Sequence, residues 1–212
     1  KLEQYRSLIR AWKVENTTPT GNIVRDELQK AFSGLLGSSL QELANATTDH
    51  QLIVGTTQSP LLASFQENLK AVDTDGFIIR HSTVNNKPSI VIVSSSEAGM
   101  LYGVFHFLRL MQTEQAINNL DIVSSPKTRV RILNHWDNLD RSVERGYAGF
   151  SLWDWHKLPG YIDPRYIDYA RANASIGING AVLTNVNANA LILTPHYLEK
   201  VKALADVFRP YG

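Results

Sequence analysis

The chain has 212 residues, a formal net charge of +1 and 43% apolar residues, enough to bury a substantial core in one or two domains. This near-neutral balance, with no basic stripe to neutralise phosphates, argues against a nucleic-acid binder, and no apolar run reaches the roughly 20 residues of a membrane-spanning helix. There is no cysteine, which excludes disulfides, thiolate nucleophiles and thiolate metal sites but assigns no compartment.

In chain order, the first half reads as mixed α/β. "NIVRDELQKAFSGLLG" sets Ile23, Leu28, Phe32 and Leu35 along one helical face and offers Gly37 as a C-terminal stop. "QLIVGTT" is a short apolar strand, and after Ser59-Pro60 a second helix is predicted through Leu62, Phe65 and Leu69. "GFIIRHSTV" and "SIVIVSSS" are strand-like, and "NNKP" between them is hairpin turn chemistry. "SSSEAGMLYGVFHFLRLMQ" carries the clearest helical stripe, through Leu101, Val104, Phe105 and Leu108, with Ser94 and Glu97 as a candidate capping box. His106 in that helix reads as structural. Together these elements predict a sheet with helices packed on one face.

"SSPKT" at residues 124–128 marks a boundary, which predicts an N-terminal α/β domain over 1–126 and a second region over 127–212. There "RVRILNHW" is a predicted strand, followed by a long loop and the helix "DPRYIDYARANASIG"; then come the strand "INGAVLTNVN", a loop and the helix "TPHYLEKVKALADVF". Asp163-Pro164 and Thr194-Pro195 each offer a cap oxygen ahead of a proline at the first helical position. Strand, loop and helix repeated twice predict parallel strands with crossover helices, the first two βα units of a larger barrel or open sheet. A (β/α)8 barrel needs about 250 residues, roughly three times the length of the second region, so the sequence is expected to be a fragment.

Ligands of parallel α/β folds bind at the C-terminal ends of the strands, which selects His135 to Asn138, with the loop behind them, and Asn185 to Asn189. The stretch "LNHWDNLDRSVERGYAGFSLWDW" holds three of the four tryptophans among charges and keeps no regular apolar period. Such a composition suits a concave site for a flat, polar, partly apolar ligand such as a sugar. Trp136 would stack on a sugar or cover a methyl group; alternatively it would seal the strand ends against Trp153 or Trp155. Asp137, Asp140, Glu144 and Asp154 are candidate acids and bases, since a glycosidase needs two carboxyl groups across one bond, although most loop carboxylates are solvated or cap helices. Asn185 and Asn187 carry donors and acceptors suited to hydroxyls, whereas Asn189 reads as a loop-holding residue. His135-Trp136-Asp137 invites a metal reading at the end of the first strand, but His81, His106, His156 and His196 show no metal-ligand spacing to complete a set, and no glycine-rich phosphate cradle is present, so neither metal nor cofactor is expected. Sequons at Asn16, Asn45 and Asn173 are short motifs that arise by chance and carry little weight.

The same stretch, with "YIDYARANASIGINGAVLTNVNANA" and "ADVFRPYG", closely resembles the α-glucuronidases of glycoside hydrolase family 67. "SEAGMLYGVFHFLRLMQT" and "LDIVSSPKTRVRILNHWDN" resemble that family's passage from N-terminal domain to barrel. The likeness is nearly continuous from Glu97 onward and looser before residue 50. It implies an N-terminal α/β domain, a central (β/α)8 barrel truncated here after two βα units, and a C-terminal helical region that makes a homodimer. It also implies metal-free, inverting removal of α-1,2-linked glucuronic acid, or its 4-O-methyl ether, from xylo-oligosaccharides.

By this resemblance Trp136 packs on the methyl-bearing end of the ligand and Val186 is its aliphatic neighbour. Asp137, Asn138, Asn185 and Asn187 join them as expected substrate-binding residues. The resemblance places the catalytic acid and base, and the basic residues for the uronate, on later barrel strands, so none is expected in this chain. Two rival readings remain: a hexosaminidase-like barrel glycosidase, or a non-catalytic carbohydrate-binding module with the loop tryptophans as a stacking platform.

Overall fold

The computed structural model covers residues 1–212, and the backbone divides into two units, Lys1–Arg129 and Val130–Gly212. In the first, α1 (Leu2–Leu8) leads into β1 (Ala11–Val14), α2 (Pro19–Leu36), β2 (Gln41–Glu42) and β3 (Gln51–Thr56). A 3-10 turn (Ala63–Phe65) and the single helical turn α3 (Gln66–Leu69) then precede β4 (Phe77–Val84), β5 (Lys87–Ser94), α4 (Glu97–Gln112) and β6 (Asp121–Ser124). The six strands form one sheet in the order β2-β1-β3-β5-β4-β6. β1 runs parallel to β2 and β3, and β3 parallel to β5, whereas β4 is antiparallel to β5 and β6. The unit is thus mixed α/β on a sheet with a parallel half.

β3 and β5 are buried along nearly their whole length, the pattern of strands covered on both faces. On one face Ile53, Ile78, Val91 and Val93 pack against Leu62, Phe65 and Leu69. On the other lies α4, where Gly103 lets the helix backbone approach Ile92 and Phe77, and α2 packs on α4. The expectation of helices on one face is therefore corrected: an all-apolar strand needs a cover on each side. The predicted helix through Leu62 and Leu69 supplies the second cover, yet most of it is turn rather than α-helix.

Local rules explain most of the boundaries. Thr18 caps α2 by accepting from the Gly21 amide, Pro19 occupies the first turn, and Gly37 ends the helix at φ 62°. Asn85 and Asn86, at φ 49° and 61°, make the two-residue turn between β4 and β5. The cap of α4 is Ser96, whose hydroxyl accepts from the Gly99 amide at 3.0 Å, and not the predicted Ser94. The Ser94 hydroxyl is engaged in the fold instead, donating to the Gly76 carbonyl at 2.6 Å. α1, β1 and β2 went unpredicted because two to seven residues are too few for a period to emerge.

In the second unit β7 (Ile132–Asn134) pairs in parallel with β8 (Gly180–Val182), with Leu133 opposite Ala181. α5 (Pro164–Ser175) connects them and α6 (Pro195–Phe208) follows β8. Both strands are shorter than predicted, but backbone bonds extend the pairing, from His135 N to the Val182 carbonyl (2.9 Å) and from Asn185 N to the Asp137 carbonyl (2.8 Å). Asp163 caps α5 by accepting from the Arg165 amide. Thr194 does not cap α6 with its side chain: its hydroxyl donates to the Leu191 carbonyl at 2.7 Å. Trp153, Trp155, Leu158, Tyr166 and Leu204 form the core of this unit.

Candidate functional site at the ends of the parallel strands

Side chains alternate across an extended chain, and residues 135–137 follow that rule beyond the end of β7. His135 turns inward: its ring packs on Trp153 (5.1 Å between centroids) and Tyr169 (5.4 Å), and Nε2 lies 2.6 Å from the Tyr169 hydroxyl. Asp137 is buried and accepts from the Ser151 hydroxyl at 2.5 Å, while Ser151 Oγ accepts from the Trp153 amide at 2.9 Å. With both neighbours anchored, the Trp136 indole is left 48% exposed. Its carbonyl accepts from the Glu144 amide at 2.7 Å, which ties the following loop back to the strand end.

Beside it, Asn185 is buried, and its Oδ1 accepts from the Asn187 amide at 2.9 Å, a turn in which the side chain closes on its own backbone. Val186, 81% exposed, and Asn187 project from that turn. Trp136 and Val186 therefore flank the Asp137–Asn185 backbone bond, one residue to either side. Of the six residues expected to bind substrate, Trp136, Val186 and Asn187 present their side chains to solvent. Asp137 and Asn185 are internal, and Asn138 holds the loop by donating to Ser142 Oγ (3.0 Å) and the Glu144 carbonyl (2.8 Å).

The tryptophan-rich stretch needs correcting as a sugar site, for two of its three indoles belong to the core. Trp153 and Trp155 are fully buried, and Trp153 meets Tyr166, Tyr169 and Phe208 at 5.3–5.8 Å. Neither is free to join Trp136 in an outward-facing platform of three indoles. Asp154 is buried too, paired with Arg141 at 3.0 Å and Lys157 at 3.6 Å. Asp140 is exposed; the Ser142 hydroxyl and amide donate to it and hold its carboxyl below the usual aspartate range. No group of three or more His, Asp or Glu side chains is arranged to hold a metal ion.

The loop folds over a groove of about 520 Å³ at the same end of the strands, lined in part by Asp140, Glu144, Arg145, His156, Asn189 and Tyr197. Arg145 lies within the tryptophan-rich stretch and His156 directly after it, but the sequence reading takes neither as a site residue, and Tyr197 comes from α6, much further along the chain, with no shared motif to join them. Arg141 (φ 73°) and Glu144 (φ 59°) are held in the left-handed region beside it, a conformation that side chains other than glycine adopt at some cost.

Solved glycosidases share this architecture. A family GH115 4-O-methyl-alpha-glucuronidase with specificity for decorated arabinogalactans aligns over 95% of this chain and 28% of its own, with TM-score 0.59 and 16% identity. A GH138 enzyme targeting pectin rhamnogalacturonan II aligns over 96% and 23%, with TM-score 0.60 and 13% identity. At 16% and 13% identity this likeness is one of fold. The sequence goes further: residues 1–107 match the glycosyl hydrolase family 67 N-terminus and residues 110–212 the family 67 middle domain. The chain belongs to glycoside hydrolase family 67.

Among relatives, the probable alpha-glucuronidase A of Aspergillus fumigatus is 34% identical over 90% of this chain, and that of Aspergillus terreus 36% over 88%. The alpha-glucuronidase A of Emericella nidulans is 35% identical over 88%. The chain spans about a fifth of the length of these relatives, 22% in each case.

Proposed function

We propose that this chain is the N-terminal α/β domain (1–126) and the opening two βα units (127–212) of the (β/α)8 barrel of an inverting α-glucuronidase. The enzyme removes α-1,2-linked glucuronic acid, or its 4-O-methyl ether, from xylo-oligosaccharides. The chain supplies one wall of the uronate pocket, with Trp136 and Val186 as the apolar surface against the methyl-bearing end of the sugar and Asn187 as a hydroxyl partner. Asp137, Asn138 and Asn185 act behind that wall, as the groups that fix it. The acid, the base and the cations for the uronate carboxylate lie outside these residues, and the complete enzyme is a metal-free homodimer.

What carries this reading is the half-exposed Trp136, set at the C-terminal end of a parallel strand between two anchored neighbours, in a chain of family 67. Barrel hydrolases assemble their sites at that end of the strands. In the complete enzyme Trp136→Ala is expected to lower kcat/KM on a 4-O-methylated aldouronic acid by about 1–3 kcal/mol of lost contact. The 212-residue chain alone is expected to release no glucuronic acid. Unchanged kinetics in the variant, or turnover by the purified chain, would overturn the proposal.

A further inference from the structure

The segment that carries Trp136 outruns its strand. β7 ends at Asn134, and beyond it the backbone is tied from His135 N to the Val182 carbonyl, from the Glu144 amide to the Trp136 carbonyl, and from the Asn185 amide to the Asp137 carbonyl. Glu144 and Asn185 belong to loops, which are themselves free to shift. A helix reaches the segment through Tyr169 of α5, whose hydroxyl lies 2.6 Å from His135 Nε2. Tyr169 is firmly seated: its ring meets Trp153 edge-on at 5.3 Å and Phe208 at 5.9 Å, and Asn173, one helical turn on, bonds its hydroxyl. With the Asn173 amide donating to the phenol oxygen, the phenol proton goes to Nε2 of a neutral imidazole, whose own proton then sits on Nδ1. Nδ1 faces Asp137 Oδ1 at 3.8 Å, and Asp137 Oδ2 accepts from Ser151 at 2.5 Å. The two inward side chains that bracket Trp136 therefore lie on one line of polar groups running from α5 to the loop.

We infer that Tyr169 is a positioning residue: its hydroxyl orients His135 and through it holds the Trp136 indole in place. The use of that indole in binding rests on the function proposed above. Packing alone does not fix the imidazole, because a half-turn about its last torsion exchanges nitrogens for carbons and leaves the contacts with Trp153 and Tyr169 nearly unchanged. The hydroxyl at 2.6 Å removes that freedom. Without it, Nε2 is an acceptor on a side chain only 19% exposed, and the ring gains by turning toward water. Successive side chains of an extended segment point to opposite faces, so a rotation at residue 135 is passed on to the indole at 136.

Tyr169→Phe keeps the ring and its packing and removes only the hydroxyl. In the 212-residue chain Trp12, Trp153 and Trp155 are buried, so acrylamide quenching of tryptophan fluorescence reports on Trp136, and the variant is expected to raise the quenching constant. In the complete enzyme the variant is expected to raise KM on an aldouronic acid about threefold and to leave kcat within about twofold. A change that merely reduced the folded fraction would lower kcat and leave KM alone. In a Trp136→Ala background the same substitution should move KM by less than about 1.5-fold, because the group it positions is gone. Unchanged or lowered quenching would overturn the inference. So would the same rise in KM with and without Trp136, or a KM that Trp136→Ala raises and Tyr169→Phe does not. Raised quenching in Tyr169→Phe, in an enzyme whose KM is indifferent to both substitutions, would sustain the anchor and defeat the role given to Trp136 above.

Discussion

At the scale of single residues, Trp136 owes its exposure to the side chains next to it rather than to its own chemistry. Three indoles lie within twenty residues of sequence, and an aromatic ring gains by burial wherever the fold offers a cavity. Trp153 and Trp155 found one, against Tyr166, Tyr169 and Tyr197. Trp136 did not, because Asp137 and His135 take the inward positions on either side of it. The bond from Ser151 to Asp137 is thus a determinant of where the indole sits. Ser151→Ala leaves a buried carboxylate oxygen without its donor and should cost about 1–3 kcal/mol of stability. Urea denaturation of the chain measures this, and a change below about 0.5 kcal/mol would mean that Asp137 is held by other groups.

At the scale of elements, two glycines in helices of the first unit separate close packing from mere permissiveness. Gly103 in α4 faces the sheet, and a Cβ there would lie 2.8 Å from Ile92 Cγ2 and 3.1 Å from the Phe77 ring. Gly34 in α2 has nothing within 4 Å of the same position. Alanine is the better helix former by about 1 kcal/mol in both places, so Gly34→Ala should stabilise by roughly 0.5–1 kcal/mol. Gly103→Ala must push the helix off the sheet and should instead destabilise by about 1–3 kcal/mol. Thermal or chemical unfolding of the pair gives the two signs, and a stabilising Gly103→Ala would show that α4 has slack against β5.

Elements also show where sequence reading succeeds. α2, α4, α5 and α6 and the β4–β5 hairpin were legible because their signals are local: an apolar stripe, a proline in the first turn, a glycine stop, an Asn-Asn turn. The predicted capping box at Ser94 failed for an equally physical reason. A hydroxyl two residues further on was as well placed, and Ser94 had a stronger claim from the Gly76 carbonyl, a residue 18 positions away.

For the molecule as a whole, acid should loosen the first unit through His106. Burial, and then the charge of Arg109, hold His106 below the ordinary histidine range, with its ring against Phe77. A depressed folded value means that the unfolded chain binds the proton more readily, so this contribution to stability is complete above the unfolded value near 6.5. It is lost as the pH falls from there through the folded value. Hydrogen exchange of the α4 amides, corrected for intrinsic rates, should show protection dropping across that interval in the wild type. In His106→Gln the drop should shrink, and an identical pH dependence in both would assign the effect to other groups.

What the sequence determined by itself is whatever depends on neighbours a few residues apart: the mixed α/β order, the main helices and their prolines, and the family. Tertiary structure alone decided which tryptophans are core and which one faces solvent, that both faces of the sheet are covered, and that Arg145, His156 and Tyr197 share a groove with Asp140. The reason is range. A helical period or a cap is written within one turn of chain, whereas burial and site geometry come from stretches tens of residues apart, and no local pattern records which of them will meet.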